Sequence, residues 1–200
     1  MCHGDDFGLV LPPAVAPVQV AVVVVKDTDG AVTRAAAAVV DQLTTRGVRV
    51  RLDDEIDQAF GWRATDWDLQ GVPVRVELGP RDLADSAAVL YRRDTRDKVK
   101  VGIDGVVAQV HRLIGQIQAD MFEAAAARRA AAVADCTTVE QAREAGQTGL
   151  ARVPWRVVGT TGEQDLATSG LTVRCLQRDD GSLPETDHDT DALAYVARAY

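Results

Sequence analysis

The chain has 200 residues, of which 46% are hydrophobic and only 4% aromatic, a length and composition that suit one globular α/β domain with an appendage. Its formal net charge of −8 argues against a protein that binds nucleic acid over its whole surface. A local basic face is still open, because cationic residues cluster at Arg92, Arg93, Arg96, Lys98 and Lys100. No apolar run approaches the roughly 20 residues that span a bilayer, so we expect no membrane partner.

The three cysteines, Cys2, Cys136 and Cys175, are far apart and form no CxxC pair. That spacing argues against a disulfide framework and a zinc ribbon, and it suits a reducing cytoplasm. The first residues lack a basic region, so we expect no signal peptide.

The first half of the chain predicts an α/β unit. Residues 1–17 read as an irregular lead-in, and residues 18–26 form a β-branched run typical of a strand buried on both faces. Apolar residues at helical spacing predict a helix over 32–46, with Gly47 at the position of a C-terminal cap. A strand over 48–52 follows. The short connections favour a parallel pair with a right-handed crossover.

The next segments are more varied. Residues 53–71 are mixed in character, and strands are predicted over 72–78 and 87–91, with Arg75 and Glu77 on one face of the former. A long helix is predicted over 104–134, and then a polar link over 137–149. Strand-like pieces over 153–158, 171–176 and 193–196 predict a small second module. We therefore predict three regions, a lead-in (1–17), a main domain (18–135) and a small C-terminal domain (136–200).

Two groups of residues invite a catalytic interpretation. His3-Gly4-Asp5-Asp6 has metal or acid/base chemistry, but adjacent loop residues seldom converge on one ion, so a turn with solvated acids is favoured. Cys175 with His188 could be a nucleophile and base, but a lone cysteine is more often a small buried hydrophobe. No phosphate-binding glycine motif or GxSxG occurs. We assign no catalytic residue and no metal ligand.

Residues 61–82 alternate aromatic and charged side chains before a strand. Single-stranded RNA is recognised by such stacking faces beside hydrogen-bonding groups. A loop whose tryptophans fill the core while its charges face water would give the same pattern. The residues alone do not favour either of these two interpretations.

The segments 3–20 and 61–82 together resemble prolyl-tRNA synthetases of the archaeal and eukaryote-like type. The first looks like the stretch that follows motif 3 of the catalytic domain, with His3-Gly4-Asp5-Asp6 and Gly8-Leu9-Val10-Leu11-Pro12-Pro13. The second follows the order of the family, with Gly61-Trp62-Arg63, Gly71-Val72-Pro73-Val74-Arg75, Gly79-Pro80-Arg81-Asp82 and then Arg92-Arg93-Asp94-Thr95. The resemblance is dense over residues 3–135 and looser to Tyr200.

The resemblance implies a class II anticodon-binding fold, in which helices flank a mixed, mostly parallel sheet of about five strands, plus a small α+β C-terminal module. Residues 1–17 would then be the remnant of the catalytic domain after motif 3, and residues 18–135 the anticodon-binding domain. The resemblance implies that the full enzyme is a cytoplasmic ligase that charges tRNA with proline, using ATP and magnesium in its catalytic domain. A homodimer of the full-length enzyme is possible.

Three departures from the family matter. Motifs 1 and 2 are missing, so we expect that this chain alone does not activate proline. Glu55 stands where relatives usually carry Arg, which weakens the case for a phosphate contact there. Many relatives hold zinc with four cysteines in the C-terminal module, whereas Cys175 is the only cysteine in residues 150–200, so we expect no zinc. The terminal Tyr200 is kept, and in relatives the C-terminal carboxylate lies near the active site.

The implied partner is proline tRNA, bound through its anticodon loop, whose two guanines offer N1–H and amino donors to a carboxylate and O6 and N7 to a cation. We hypothesise that Asp66 or Asp68 accepts from a guanine and that an exposed Trp62 or Trp67 stacks on a base. The predicted cationic contacts to O6 or phosphate are Arg63, Arg75 and Arg81. Alternatively, Trp67 belongs to the core and Arg75 pairs with the neighbours of Glu77.

Three functions remain open from the sequence. The chain could be part of a full synthetase, with proline and ATP bound only through the missing catalytic domain. It could be a free-standing anticodon-domain protein that binds tRNA or regulates without ligase activity. It could also be a protein-interaction domain that kept the fold and lost RNA binding.

Overall fold

The computed structural model describes residues 3–186, 189 and 191–199. The chain divides into two compact units, residues 1–123 and 124–200. Cys2, His188 and Tyr200, on which sequence-based predictions fell, lie outside the described residues. The predicted region boundaries at 17/18 and 135/136 stay predictions.

The first unit begins with a short hairpin and continues as an α/β sandwich. Its strands are β1 (Gly4–Asp5), β2 (Gly8–Leu9), β3 (Val20–Val24), β4 (Val50–Asp53), β5 (Val74–Leu78), β6 (Ala87–Arg92) and β7 (Lys98–Gly102). Its helices are α1 (Ala31–Thr45), α2 (Phe60–Leu69), α3 (Pro80–Ala84) and the first part of α4 (Val106–Ala131), which follows a 3-10 turn at Ile103–Gly105.

Five strands of this unit form one mixed sheet in the order β4-β3-β5-β6-β7. The strand β3 pairs in parallel with β4 and with β5, whereas β6 is antiparallel to both β5 and β7. Four of the five strands therefore point the same way. The five-stranded mixed sheet flanked by helices that the resemblance implied is confirmed, and so is the parallel β3–β4 pair joined through α1.

The core of the first unit lies on both faces of the sheet. On one face, Val20, Val22 and Val24 pack with the buried side of α1 and with Val106, Val107, Val110 and Ile117 of α4. On the other face, Ala21 and Val23 pack with Val72 and with Phe60 and Trp67 of α2. All five residues of β3 are fully buried, as its uninterrupted apolar sequence predicted.

The structure differs from the sequence-based expectation at α2. The segment 53–71, which showed no clear element, contains this ten-residue helix. Its sheet-facing positions are Phe60, Arg63, Ala64 and Trp67, a 3.6-residue period in which a buried arginine takes the place of an apolar residue. Because Arg63 is charged, the sequence did not show the apolar period that predicts an amphipathic helix.

The second unit contains β8 (Val133–Asp135), α5 (Val139–Gly146), β9 (Leu150–Pro154), α6 (Trp155–Ala167, interrupted at Gly159), β10 (Leu171–Gln177) and β11 (Leu193–Arg198). The strands form a sheet in the order β10-β11-β9-β8, with only β8 and β9 parallel. Ala142, Trp155, Leu166 and Leu171 belong to its core.

Two predictions for this unit are wrong in detail. The polar link over 137–149 contains α5, whose N-cap Thr138 accepts a hydrogen bond from the amide of Gln141. The strand predicted over 153–158 ends at Pro154, and Val157 and Val158 belong to α6. Both elements are short, so their sequence patterns were weak.

Within the part of the chain that the structure describes, no helix is long and apolar enough to cross a membrane.

Candidate nucleic-acid interface

A cavity of about 230 Å³ opens between the end of β4 and the outer side of α2. Its walls come from the strand end and the residues after it, and from successive turns of the helix: Arg51, Leu52, Asp53, Asp54, Glu55, Trp62, Arg63, Asp66, Trp67 and Gln70. We call this cavity the α2 pocket. The pocket places aromatic, cationic and anionic groups side by side, which is the chemistry of RNA-base recognition.

The floor of the α2 pocket is organised by the carboxylate of Asp53, which is 8% exposed. One oxygen accepts a hydrogen bond from Nη1 of Arg63 at 2.6 Å, and the other accepts from Nε1 of Trp67 at 2.6 Å. The guanidinium of Arg63 also donates to the carbonyl of Val24 at 2.6 Å, at the end of β3. Three side chains thus fix α2 to the carboxyl ends of two parallel strands.

The rim of the α2 pocket carries groups that are free to bind. Trp62 is 62% exposed, and its indole has no polar partner among the described residues. The side chains of Arg51 and Asp54 are likewise exposed and, among the described residues, unpaired. Asp66 is half-buried and accepts a hydrogen bond from Gln70 at 2.7 Å. Unsatisfied groups at the rim of a formed cavity are ready to receive a ligand.

A second set of charges lies beneath α2, on the sheet. Arg75 is 4% exposed and donates to Glu77 at 2.9 Å, to Asp68 at 2.9 Å and to the carbonyl of Ala64 at 3.1 Å. Its guanidinium lies 4.1 Å from the ring centroid of Tyr91, whose phenol has a pKa raised by burial. Lys98 completes the network through both oxygens of Glu77. These charges satisfy one another.

The cationic cluster that left a local basic face open in the sequence is largely neutralised in the structure. Arg92 binds Asp94 and Asp120, Arg93 binds Asp5, and Lys100 binds Asp85. Consequently the pKa values of Asp5, Asp85 and Asp120 are held below their ordinary range by their hydrogen-bonded cations. The sequence suggested a solvated acid at Asp5, but its carboxylate is paired with the buried guanidinium of Arg93, although the side chain of Asp5 stays 37% exposed.

The six predicted RNA-contacting residues fall into three places. Arg63, Asp66 and Trp67 line the α2 pocket. Asp68 and Arg75 pair with each other beneath α2, and Arg75 also pairs with Glu77 itself. Arg81 lies on α3, exposed and unpaired among the described residues. Direct RNA contact by these six stays a prediction, and in this conformation Arg63 and Arg75 are occupied by internal partners.

Sequence reasoning missed the pocket rim at Arg51, Asp54 and Gln70, and the organising role of Asp53. The signal was the pair Asp53-Asp54 directly after a strand, because the carboxyl ends of parallel strands are where α/β sheets bind ligands. Glu55 also lines the pocket, where it accepts a hydrogen bond from Gln58 at 3.3 Å.

Known proteins resemble this chain in sequence and in fold. The family model described as anticodon binding domain matches residues 19–113. The proline--tRNA ligases of Frankia casuarinae and Frankia alni are 46% and 47% identical over 201 residues, covering 100% of this chain and 43% of each relative. The crystal structure of prolyl-tRNA synthetase from Cryptosporidium parvum, complexed with L-proline and AMP, gives a TM-score of 0.83 at 25% identity and covers 100% of this chain and 44% of that chain.

The fold and the matched residues define a protein with an anticodon-binding domain. The chain spans less than half the length of the curated relatives it matches. It belongs to the prolyl-tRNA synthetase family and matches the C-terminal part of the full enzyme, which confirms the family inferred from residues 3–20 and 61–82.

Proposed function

We propose that this chain is the tRNA-recognising part of a proline-tRNA ligase and that the α2 pocket receives a base of the proline anticodon. The observation that carries the proposal is the rim of the pocket, where the exposed indole of Trp62, the carboxylate of Asp54 and the guanidinium of Arg51 have no polar partner in the part of the chain that the structure describes. An aromatic ring on which a base can stack, next to a carboxylate that can accept from N1–H and the amino group, suits guanine.

The roles within the pocket follow from burial. Trp62 stacks on the base, Asp54 and Asp66 accept from its N1–H and amino group, and Arg51 contacts O6 or a phosphate. Arg63 and Trp67 act indirectly, because their polar atoms hold Asp53 and thereby α2. Arg81, exposed on α3, supplies a phosphate contact.

The catalytic chemistry of the full enzyme would belong to a catalytic domain and not to the residues that the structure describes. Proline, ATP and magnesium would bind in a catalytic domain, and the described residues contain no group of three or more His, Cys, Asp or Glu side chains placed to hold a metal ion. The full ligase, as a possible homodimer in the cytoplasm, would transfer proline to the tRNA that this part selects.

The test is binding of a proline-tRNA anticodon stem-loop by fluorescence anisotropy. Trp62→Ala should weaken binding about ten-fold or more, since stacking of one base on an aromatic ring contributes about 1–3 kcal/mol. Phe122→Ala is the matched control, because Phe122 is also an exposed aromatic, 71% exposed, but lies outside the pocket. Equal affinity for the two variants would contradict the proposed pocket.

Replacing each anticodon guanine by inosine tests the carboxylate, because inosine lacks only the 2-amino donor. We expect the wild-type chain to lose about ten-fold in affinity at one guanine, a typical effect of one hydrogen bond to a charged group. Asp54→Ala, which removes the acceptor, should abolish that difference. If the wild-type chain does not bind the stem-loop at all, a protein-interaction domain becomes the better description.

A further inference from the structure

The hairpin of β1 and β2 is held against the rest of the first unit by an ion pair between Asp5, whose side chain is 37% exposed, and the buried Arg93. Nη1 and Nη2 of Arg93 donate to the two carboxylate oxygens of Asp5 at 2.8 and 2.6 Å. Arg93 is 1% exposed and is among the largest fully buried side chains of the described chain. A bidentate pair of this kind fixes orientation as well as distance.

The same guanidinium also holds α2. Nε of Arg93 donates to the main-chain carbonyl of Asp68 at 3.2 Å, in the last turn of the helix. Arg93 therefore joins the hairpin directly to the end of α2. A lysine could not replace it, because an ammonium group lacks the planar fork that makes three such bonds at once.

Two further contacts hold the hairpin, one to the turn between β6 and β7 and one to α2. The guanidinium of Arg96 lies 3.6 Å from the ring centroid of Phe7. Gly8 has a φ of +131°, and a Cβ at that position would lie 2.5 Å from Cα of Leu69 and 2.7 Å from the carbonyl oxygen of Asp68. The hairpin backbone thus lies directly on the helix end, where no side chain would fit.

The α2 pocket is lined by residues along the length of α2, from Trp62 to Gln70. Trp62 lies on the rim, and Arg63 and Trp67 hold the floor residue Asp53. The ten-residue helix α2 is therefore shared between the hairpin and the pocket. A rigid element held at both places can transmit a displacement from one to the other.

We propose that Asp5 and Arg93 are positioning residues for RNA recognition, which clamp α2 in the orientation that shapes the pocket. The RNA half of this inference rests on the proposed function. By linkage, the clamp that favours RNA binding is itself favoured by bound RNA to the same extent. Bound RNA should therefore tighten the hairpin, although the hairpin does not line the pocket.

The experiment compares Asp5→Asn with Asp6→Asn in the full 200-residue chain. Both variants remove one negative charge from the hairpin, so their long-range electrostatic effects match. Asp5 binds Arg93, whereas Asp6 is exposed and has no polar partner among the described residues. Amide hydrogen exchange is measured by mass spectrometry in peptides covering residues 3–10 and 60–70, with and without the proline anticodon stem-loop, together with stem-loop affinity.

We expect Asp5→Asn to speed exchange in residues 60–70 of the free protein and to weaken stem-loop binding about ten-fold, within the usual range of coupling between two sites. Bound stem-loop should slow exchange in residues 3–10 of the wild type and of Asp6→Asn, and not of Asp5→Asn. A purely structural hairpin would show no such RNA-dependent change.

Three results separate the possibilities. If Asp5→Asn matches Asp6→Asn in exchange at residues 60–70, the clamp is overturned. If α2 loosens but stem-loop affinity is unchanged, the positioning role in RNA binding is overturned. If the wild type does not bind the stem-loop, the proposed function fails, and exchange in the free protein still decides whether the hairpin clamps α2.

Discussion

Single buried charges fix the candidate site at the scale of residues. Asp53 connects β4 to α2 through Arg63 and Trp67, and Arg63 connects α2 to the end of β3. Burying an ion pair costs desolvation free energy, so its presence is weak evidence for stability. Its value here is geometric, because the pair sets the distance between the strand ends and the helix that carries Trp62.

Asp53→Ala should lower the free energy of unfolding by about 3 kcal/mol, because it leaves the buried guanidinium of Arg63 without its carboxylate. The side chains of Arg63 and Asp53 are 3% and 8% exposed. Asp54→Ala is the control, and we expect it to change the free energy of unfolding by less than about 0.5 kcal/mol, because its side chain is exposed. Urea denaturation of both variants would measure this. Equal effects would show that Asp53 does not hold α2.

At the scale of elements, α2 is the helix on which both proposals depend. It has no side-chain N-cap, no acidic residue in its first turn and a glycine in its second position. Its stability therefore comes from packing of its sheet-facing side and from hydrogen bonds with β3, β4, β5 and Arg93, and little of it is intrinsic. Such a helix is sensitive to what it packs against.

Two glycine substitutions test this dependence. At Gly71, which follows α2, φ is +73° and a Cβ would lie 2.5 Å from Cβ of Leu9, so Gly71→Ala should destabilise the protein by about 1–3 kcal/mol. At Gly115, inside α4, nothing lies within 4 Å of an added Cβ, so Gly115→Ala should stabilise by about 0.5–1 kcal/mol. Thermal unfolding of the two variants should shift in opposite directions. A lower melting temperature for both would contradict the close approach as the cause.

At the scale of the whole molecule, acidic residues outnumber basic ones by 30 to 22, yet many of the acids are engaged in the fold. Hydrogen-bonded cations lower the pKa of Asp5, Asp85, Asp120 and Asp135. Hydroxyl and amide donors do the same for Asp27, which caps α1 through Thr33, and for Asp180 through Ser182. These carboxylates stabilise the folded state only while they are ionised.

The resulting pH dependence has a definite sign. Because the folded pKa values lie below the ordinary aspartate value of about 3.9, the unfolded chain binds more protons at acid pH. The stabilisation should be complete above about pH 5 and should fall as the pH drops through about 4 and below. Urea titrations between pH 7 and pH 3 would measure this. A free energy of unfolding that stays constant down to pH 3 would show that these pairs do not form in solution.

Much of the fold could be predicted because its pattern is local. The uninterrupted valines of β3, the 3.6-residue period of α1 and the glycine at 47, whose φ is +77°, each fix their own element. α2 could not be predicted in this way. The 3.6-residue period of its buried positions includes Arg63. An arginine occupies a buried helix position only if a carboxylate from another element lies opposite it, as Asp53 of β4 does here.

The candidate site likewise has a part that local sequence patterns predicted and a part that depends on tertiary contacts. The sequence by itself determined the family, the α/β class and the segment 61–82 that contributes to the pocket, because these depend on ordered motifs and short-range periods. Only the tertiary structure decided which of its charges face a ligand. Arg63, Asp68 and Arg75 are turned inward, whereas Trp62, Asp54 and Arg51 are left free. The reason is physical: a charge is buried or exposed according to the partner that the fold brings to it. The partner of Arg63 is Asp53 on β4, and the partner of Asp68 is Arg75 on β5.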